Sequence, residues 1–425
     1  MQTVAVVGAG PKGIALAAKA RALADVGFDA PQVVLIDRAG IAESWTGRRG
    51  YTNGLLPLGT PPEKDVGFPY AESWGGASAE VRDAMTRFSW QHHLIERGEY
   101  ADWVDRGHLR PSHRRWSTYL RAVAQKAEAD VIEADVVGLE LEDERWRLSL
   151  ADGAALVADG VVLTGAGPAI EIAGQPRGHP RVLDGRSYWL HEKEFKKHFG
   201  LNVCVIGSGE TAASIVISLL KKLYKGSTVD VLTSRGVLYS RGESFDENRF
   251  YSDPGDWPRL AETHRREFLE RTDRGVFSLQ AEATLNQSRC FRTLAGRAVA
   301  IDPGGRQVLV TIEYGDEQER VVYDLVVVAI GFEARWFESF LGREASARLV
   351  DALADDELER RIDIDLGVDG LRPRLHLPML AGLAQGPGFP NLSCLGLLSD
   401  RVLRSYVDGL TPRTPDQLGE RRQLV

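Results

Sequence analysis

The most constraining feature of the sequence is a unit that occurs twice. Residues 4–13 and residues 203–212 each combine a short apolar run, a glycine-rich turn and the start of an alanine-containing stretch. A strand, a glycine turn and a helix in this order begin a βαβ unit, in which the helix packs on a parallel sheet. The duplication therefore predicts an α/β protein with two doubly wound, Rossmann-like dinucleotide-binding domains.

The first turn has the spacing of a dinucleotide-binding loop, with glycines at Gly8, Gly10 and Gly13. The first glycine permits the tight turn, the second lets the backbone approach a pyrophosphate, and the third lets the helix pack closely. Asp37 follows the next apolar run, residues 33–36. A carboxylate at the end of that strand can accept hydrogen bonds from ribose hydroxyls, so we predict a nucleotide site here.

The second turn ends in alanine instead of a third glycine, and its next apolar run, residues 229–232, leads to a serine and an arginine. A carboxylate at this position would repel a 2′-phosphate, whereas serine and arginine can bind one. The pattern therefore favours NADPH over NADH, and a further arginine is expected to assist. The predicted site comprises Gly207, Gly209, Ala212, Ser234, Arg235 and Arg241.

Two nucleotide sites in one chain suggest electron transfer between two bound cofactors, typically FAD in the first domain and a nicotinamide in the second. A glycine- and proline-rich loop at residues 386–391 runs into a late apolar element and can return the chain to the first domain. We therefore predict an FAD-binding domain at 1–172 and 371–425, with an NADPH-binding domain inserted at 173–370. Within it, residues 243–287 lack strand alternation and predict a mainly helical region that contacts the substrate.

Composition excludes several classes of function. The net charge of −8 argues against nucleic acid or an anionic membrane as a general partner. None of the three cysteines forms a CxxC or CxxxxC pair, which argues against a dithiol reductase and favours a reducing compartment. No apolar run approaches the roughly 20 residues of a membrane span. We expect a cytoplasmic protein without a signal peptide, whose tail after Leu410 need not fold.

Several longer strings carry a further signal. They are 8–13 (GAGPKG), 62–70 (PEKDVGFPY), 86–91 (TRFSWQ), 113–116 (HRRW), 252–254 (SDP) and 385–401 (QGPGFPNLSCLGLLSDR). Together they resemble the N-hydroxylating flavin monooxygenases, most closely the lysine N6-monooxygenases of mycobactin- and nocobactin-type siderophore pathways. The resemblance extends from residue 3 to about residue 403, and its most specific stretch is 385–401.

The resemblance implies a reaction. NADPH reduces FAD, O₂ forms a flavin hydroperoxide, and the lysine side-chain amine attacks it to give N6-hydroxylysine for a hydroxamate siderophore. Such a site should be closed and dry. The attacking amine must be neutral, which costs roughly 4–5 kcal/mol at pH 7 for a free lysine of pKa ~10.4, and desolvation lowers that cost. The resemblance also implies a homo-oligomer and siderophore synthetases as partners.

The resemblance also implies roles for individual residues. Lys64 matches a lysine that holds the substrate carboxylate in ornithine hydroxylases, and Asn248 matches an asparagine that holds the substrate backbone. Trp45 matches an aromatic residue near the flavin ring, and Arg241 a basic residue near the NADPH phosphate. Ser399 and Asp400 close the flavin end of the pocket. The structural alternatives are a surface lysine, a turn asparagine, a core tryptophan and a helix cap.

Two departures from the ornithine enzymes affect these assignments. Their Thr-Asn-Tyr run is Thr-Asp-Arg here, with Asp273 at the centre, so Asp273 is predicted to contact substrate in a changed way. A glutamine near the flavin is replaced by Gly59. The second change suggests that the hydroperoxide is less well stabilised and that some NADPH is used to make H₂O₂.

Other functions stay open at the level of sequence. Ketone-oxidising flavin monooxygenases carry a Phe-x-Gly signature that the nearest segment, residues 178–188, lacks. An NADPH oxidase or a redox-responsive flavin-binding protein would bind both cofactors without oxygenating a substrate. Among substrates, free lysine, a lysyl siderophore precursor and ornithine are not separated by the sequence.

Overall fold

The computed structural model describes residues 1–71, 73–197, 199–223, 226–353 and 357–407, so the predicted tail after Leu410 lies outside the described residues. The strands are β1 (Thr3–Val7), β2 (Gln32–Ile36), β3 (Asp130–Ile132), β4 (Val136–Glu142), β5 (Arg145–Leu150), β6 (Ala155–Ala158), β7 (Gly160–Leu163), β8 (Val182–Asp184), β9 (Asn202–Ile206), β10 (Thr228–Thr233), β11 (Tyr239–Ser240), β12 (Val276–Phe277), β13 (Phe291–Ala295), β14 (Arg297–Pro303), β15 (Val308–Tyr314), β16 (Glu317–Tyr323), β17 (Leu325–Val328) and β18 (Arg374–His376).

The helices, with several short 3₁₀ turns, lie between groups of these strands and after the last one. They are α1 (Pro11–Val26), α2 (Ser78–Thr86), α3 (Trp90–Glu96), α4 (Tyr100–Asp105), α5 (His113–Lys126), α6 (Ser187–His191), α7 (Glu210–Lys222), α8 (Phe245–Ser252), α9 (Glu262–Thr272), α10 (Leu279–Leu285), α11 (Arg343–Leu353), α12 (Glu357–Arg360), α13 (Gly382–Gln385) and α14 (Leu395–Arg404).

The first sheet has five parallel strands in the order β18-β7-β1-β2-β3. Its central strands are short apolar runs, because a parallel sheet covered by helices buries both faces of each strand. Helix α1 packs against α14, which brings the late part of the chain onto the first sheet. The strands predicted from the apolar runs at 4–7 and 33–36 are confirmed.

The second sheet also has five parallel strands, in the order β13-β10-β9-β17-β8. Its strands fall between Val182 and Val328, whereas β18 lies later and pairs with β7 of the first sheet. The chain therefore leaves the first sheet, builds the second and returns. The two glycine loops follow strands of different sheets, as the predicted fold class requires, while the exact boundaries at 172 and 370 stay a prediction.

Two antiparallel sheets of three strands each, β4-β5-β6 and β14-β15-β16, come directly before the parallel strands β7 and β17, respectively. Strand β5 alternates buried and half-buried residues, which is the pattern of a strand with one covered face. The sequence reading did not identify these sheets.

Residues 70–115, which are charged, tryptophan-rich and predicted to be helical, fall in a region that contains α2–α5, and the region predicted at 243–287 contains α8–α10. The second region differs slightly from the prediction, because β12 forms a two-residue parallel pair with β11. In the first region, Trp90, Trp116 and Tyr119 are fully or almost fully buried and pack ring to ring. Across the described ranges, no helix is long and apolar enough to span a bilayer.

Candidate nucleotide and substrate site

The first glycine loop has the shape of a pyrophosphate cradle. Gly8 has a φ of +115°, and a Cβ there would lie 2.4 Å from Thr164 Oγ1, so only glycine fits. A Cβ on Gly13 would lie 2.3 Å from the Gly8 carbonyl oxygen. A Cβ on Gly10, by contrast, would meet no atom within 4 Å, and Gly10 caps the N-terminus of α1. Open space beside a helix N-terminus fits a diphosphate.

Asp37 is attached to this loop. Its Oδ2 accepts a hydrogen bond from the Ala9 amide at 3.1 Å, and its Oδ1 accepts one from the Ala39 amide at 2.9 Å. The half-buried carboxylate thus joins the end of β2 to the glycine loop. Each oxygen keeps a lone pair for a hydroxyl donor, so the predicted ribose contact fits the geometry.

The second loop repeats the first in the second sheet. The Gly207 amide donates to the Leu232 carbonyl at 2.9 Å, as the Gly8 amide donates to Ile36 at 2.8 Å. Gly207 has a φ of +134°, and a Cβ there would lie 2.3 Å from the Ala329 carbonyl oxygen. Gly209 caps α7, and a Cβ added to it would meet only the Gly275 amide nitrogen, at 4.0 Å. Ala212, in the third position of the motif, is fully buried.

Two arginines flank the second loop. Arg235 Nη1 donates to the carbonyls of Glu270 and Arg274, at 3.1 Å each, and its guanidinium lies 4.9 Å from the Tyr239 ring centroid. These contacts fix the position of the guanidinium. Arg235 lies beside the loop, since a Cβ added to Gly275 would lie 3.3 Å from Arg235 Nη1 and 3.4 Å from the hydroxyl oxygen of Ser208 in the loop. Its predicted neighbour Ser234 is exposed.

Arg241 has a buried Nε with no hydrogen-bond partner in the described part of the chain. Its Nη2 lies 3.8 Å from Oε2 of Glu210, the first residue of α7. An unsatisfied buried guanidinium N–H is costly unless an acceptor occupies the site. Arg241 therefore fits an anionic ligand such as the phosphate predicted for it.

Lys64 directly precedes Asp65, a carboxylate that the fold fixes in place. Asp65 is almost fully buried and accepts hydrogen bonds from the Trp90 amide (2.8 Å), the Gly67 amide (3.0 Å) and the Tyr70 hydroxyl (2.8 Å). Burial raises the pKa of Asp65 to about 6, although these hydrogen bonds oppose the shift. Asp65 anchors the turn, and Lys64 is left half-buried with its pKa lowered by desolvation.

Lys12, which the sequence reading passed over, is a buried cation in the first glycine loop. Its Nζ donates to the Pro390 carbonyl at 2.8 Å, so it joins the loop to the return segment at 386–391. Burial lowers its pKa to about 8, while nearby Cys394 and Asp273 act in the opposite direction. The only signal in the sequence was a lysine inside the glycine motif itself.

Asp273 belongs to the same group of charges. Burial raises its pKa, while Arg241, Arg274, a hydrogen bond with Asn391 and Lys12 act to lower it. Burial raises the pKa of Cys394 to about 12, while Arg401, Lys12 and Lys64 act to lower it. Electrostatic influence therefore links Asp273 to Arg241 and Lys12, and Cys394 to Lys12 and Lys64, beside the return segment.

Asn248 is not drawn into that group. It is exposed on α8, and its amide donates to the Glu243 carbonyl at 2.8 Å and the Ser244 carbonyl at 3.1 Å. Helix α8 itself packs on the return segment, because a Cβ on Gly388 would lie 2.3 Å from the Tyr251 carbonyl oxygen. The substrate contact of Asn248 stays a prediction that the described contacts do not favour.

The predicted flavin-end residues have internal partners. Asp400 is buried and forms an ion pair with Lys19 at 2.8 Å, and it accepts a hydrogen bond from Trp74 Nε1 at 2.7 Å. Ser399 is fully buried, and its hydroxyl donates to the Gly396 carbonyl within α14 at 2.9 Å. These contacts support a structural role, and a flavin contact rests on the resemblance alone.

Trp45 is half-buried, and its ring meets His113 edge-on with 4.9 Å between centroids. His113 Nδ1 lies 2.7 Å from the Thr52 hydroxyl oxygen. Burial lowers the pKa of His113 to about 4, so the imidazole is neutral at physiological pH. A neutral ring and a hydroxyl therefore fix the position of Trp45. Gly59 is exposed, and a Cβ added to it would meet no atom within 4 Å.

The two parallel sheets and their glycine loops define a two-dinucleotide oxidoreductase. Solved structures with the same fold at low identity include the ornithine N-hydroxylase of Kutzneria sp. 744 (18% identity, TM-score 0.76, 95% of this chain and 98% of that one) and the thioredoxin reductase of Lactococcus lactis (12%, 0.54, 95% and 97%). Cys204, Cys290 and Cys394 are all free, so the pair that a dithiol reductase needs is missing among them.

The chain belongs to the L-lysine 6-monooxygenase/L-ornithine 5-monooxygenase family, whose model matches residues 79–334. It is 42% identical over 410 residues to the L-lysine N6-monooxygenase MbtG of Mycobacterium sp. strain MCS, covering 94% of each chain, and equally to that of Mycobacterium tuberculosis. The lysine monooxygenase NbtG of Nocardia farcinica has a similar structure (38% identity, TM-score 0.82, 95% of this chain and 100% of that one). The resemblance inferred from the sequence motifs is confirmed.

Proposed function

We propose that this protein is an FAD- and NADPH-dependent monooxygenase that hydroxylates the side-chain amine of L-lysine, free or within a siderophore precursor. The observation that carries the proposal is the 42% sequence identity to a named L-lysine N6-monooxygenase, which extends over 94% of both chains. The net reaction converts lysine, O₂, NADPH and H⁺ into N6-hydroxylysine, NADP⁺ and water. Bound FAD supplies the two-electron activation of O₂, and NADPH supplies the electrons.

The two glycine loops bind different cofactors, FAD at the first loop and NADPH at the second. Gly8, Gly10 and Gly13 shape the cradle for the FAD diphosphate, and Asp37 is placed to accept from a ribose. In the second sheet, backbone amides around Gly207 and Gly209 face the NADPH diphosphate. The cations beside that loop, Arg235 and Arg241 with the hydroxyl of Ser234, bind the 2′-phosphate.

The substrate binds around the return segment. Lys64 holds the α-carboxylate, because a half-buried ammonium forms a stronger ion pair than an exposed one. Asp273, half-buried and under the influence of Arg241, Arg274 and Lys12, orients the substrate's polar end. The amine that reacts must arrive neutral, and a desolvated pocket lowers the cost of removing its proton.

The setting of this reaction is part of the proposal. We propose that the protein works in the cytoplasm, in hydroxamate siderophore biosynthesis, as a homo-oligomer that passes its product to siderophore synthetases. The glycine at position 59, where the resemblance implies a glutamine near the flavin, supports partial uncoupling, in which some O₂ is reduced only to H₂O₂.

The direct test is a hydroxylamine assay with FAD, NADPH and O₂ on the full chain. L-lysine, L-ornithine and no amine are compared while NADPH oxidation is followed. Hydroxylamine formed with lysine and not with ornithine supports the proposal. NADPH oxidation that yields only H₂O₂ with every amine, including lysyl precursors, would favour an oxidase instead.

A further inference from the structure

The loop at residues 50–56 belongs to the first half of the chain but packs against the second sheet. Leu56 packs on the hydrophobic core of that sheet. The Tyr51 ring lies 6.2 Å from the Phe332 ring, and the Arg186 guanidinium lies 4.2 Å from the Tyr51 centroid. This crossing loop is therefore one of the places where the two sheet units meet.

Asn53 is the polar centre of the crossing loop. Its Oδ1 accepts from the amides of Leu55 and Leu56, at 2.9 and 3.1 Å, which fixes the shape of the loop. Its Nδ2 donates across the junction to Glu192 Oε1 at 3.0 Å. One side chain thus sets the loop's conformation and attaches it to the second unit.

Glu192 is 5% exposed and is joined to the helix that carries the second glycine loop. Ser218 and Lys222, both on α7, also donate to Oε1 of Glu192. Burial works against ionisation, but hydrogen bonds from Lys222, Ser218 and Asn53 lower the pKa of Glu192, so the carboxylate is charged at neutral pH. A buried charge with several donors holds its partners in one geometry.

We propose that Asn53 and Glu192 form a latch between the two sheet units that orients α7 and the second glycine loop towards the first. The proposal rests on the proposed function, since it takes the second loop as the NADPH site and the first as the FAD site. NADPH bound to the second unit must reach the FAD bound to the first. A misplacement of about 1 Å between reacting groups can lower a reaction rate by two orders of magnitude. Both side chains are positioning residues.

The orientation can be measured without nucleotides or substrate. Spin labels are placed at exposed Arg82 on α2 and exposed Gln280 on α10 by R82C and Q280C, in a C290S background, and the distance between them is measured by pulsed EPR. We expect one narrow distribution, which N53D broadens or shifts because two carboxylates then face each other. The double variant N53D/E192Q restores it, because the side-chain amide introduced at position 192 can donate to the new carboxylate.

The control is N286A, which removes an exposed asparagine of the second unit. It should leave the distribution unchanged. If N53D has the same distribution as the unchanged protein, or if the double variant stays as broad as N53D, the latch is wrong. None of these readings depends on lysine hydroxylation, so they stand even if the proposed function fails.

A second measurement connects the latch to NADPH. We expect N53D to lower the rate of NADPH oxidation at least about tenfold, with the FAD content per chain unchanged. The double variant should return to within about threefold of the original rate. A fall in FAD content that parallels the fall in rate would overturn the positioning role and leave only a structural one.

Discussion

Lys64 is the cation that we propose to hold the substrate carboxylate. Its neighbour Asp65 is buried and takes three donors from the surrounding backbone and Tyr70, so the turn is rigid before any ligand arrives. A cation on a fixed turn binds a carboxylate with little loss of conformational entropy. In the sequence pair Lys-Asp, Asp65 therefore fixes the turn, and Lys64, whose ammonium lies 5.5 Å from the Phe68 ring centroid, is the residue that we propose to bind substrate.

This division predicts a specific kinetic effect for K64A. The apparent KM for L-lysine should rise about 10- to 100-fold, the size of one lost charge-assisted hydrogen bond, with a much smaller change in kcat. Steady-state rates of hydroxylamine formation measure both constants. The matched control, K193A, removes an exposed lysine and should leave KM unchanged. An unchanged KM in K64A would exclude Lys64 from the substrate site.

Arg241 leads to a prediction about the nicotinamide cofactor. Its buried and unpaired Nε suits the additional phosphate of NADPH, so R241A should raise KM for NADPH roughly 10- to 100-fold. KM for NADH, which has no 2′-phosphate, should change little. Equal losses with both cofactors would mean that Arg241 only supports the fold.

At the scale of elements, the two glycine loops have the same strand–turn–helix geometry, and a single substitution can disrupt either one separately. In G13A the new methyl group meets the Gly8 carbonyl, so α1 must move and FAD should be lost from the purified protein. In G207A the strain falls on the second loop, so FAD should be retained and NADPH oxidation lost. Flavin absorbance and NADPH titration separate the two outcomes.

The control for these substitutions is G76A, at an exposed glycine of ordinary φ whose added Cβ meets no atom within 4 Å. It should keep both cofactors. If G13A purifies with a full complement of FAD, the assignment of the first loop is wrong.

The parallel sheets could be predicted from the sequence because their strands are continuous apolar runs next to glycine turns. The two antiparallel sheets could not, since strands such as β16 have only weak alternation and depend on their neighbours for burial. The same limit applies to side chains. Asp37 was predictable from its place after β2, but the buried ion pair of Asp400 with Lys19 depends on how α14 packs against α1.

At the scale of the whole molecule, the fold contains buried imidazoles that must stay neutral. Burial lowers the pKa of both His376 and His113 to about 4. His376 is fully buried between the Asp365 carbonyl, which accepts from Nδ1 at 2.8 Å, and the Tyr406 hydroxyl, which lies 2.8 Å from Nε2. Unfolding exposes these rings, whose pKa then returns to about 6.5.

The sign of the pH dependence follows from that shift. A histidine whose folded pKa is depressed contributes its full stability above about pH 6.5 and loses it as the pH falls towards 4, by about 3 kcal/mol for a fully buried ring. The thermal midpoint should therefore fall between pH 6.5 and 4. In H376Q the fall should be smaller, while H264Q, at an exposed position, should behave like the original protein. If the thermal midpoint falls equally with pH in the original protein, H376Q and H264Q, then burial of neutral His376 does not cause the pH dependence.

The central claim, that the chain transfers oxygen to a lysine amine, is tested most directly with isotopically heavy dioxygen. The full-length protein is supplied with FAD, NADPH and L-lysine, and the product is examined by mass spectrometry while NADPH and H₂O₂ are quantified. We expect N6-hydroxylysine carrying one heavy oxygen atom, with lysine and not ornithine as the substrate. Complete conversion of the oxidised NADPH into H₂O₂, with no labelled hydroxylamine from lysine or a lysyl precursor, would contradict it.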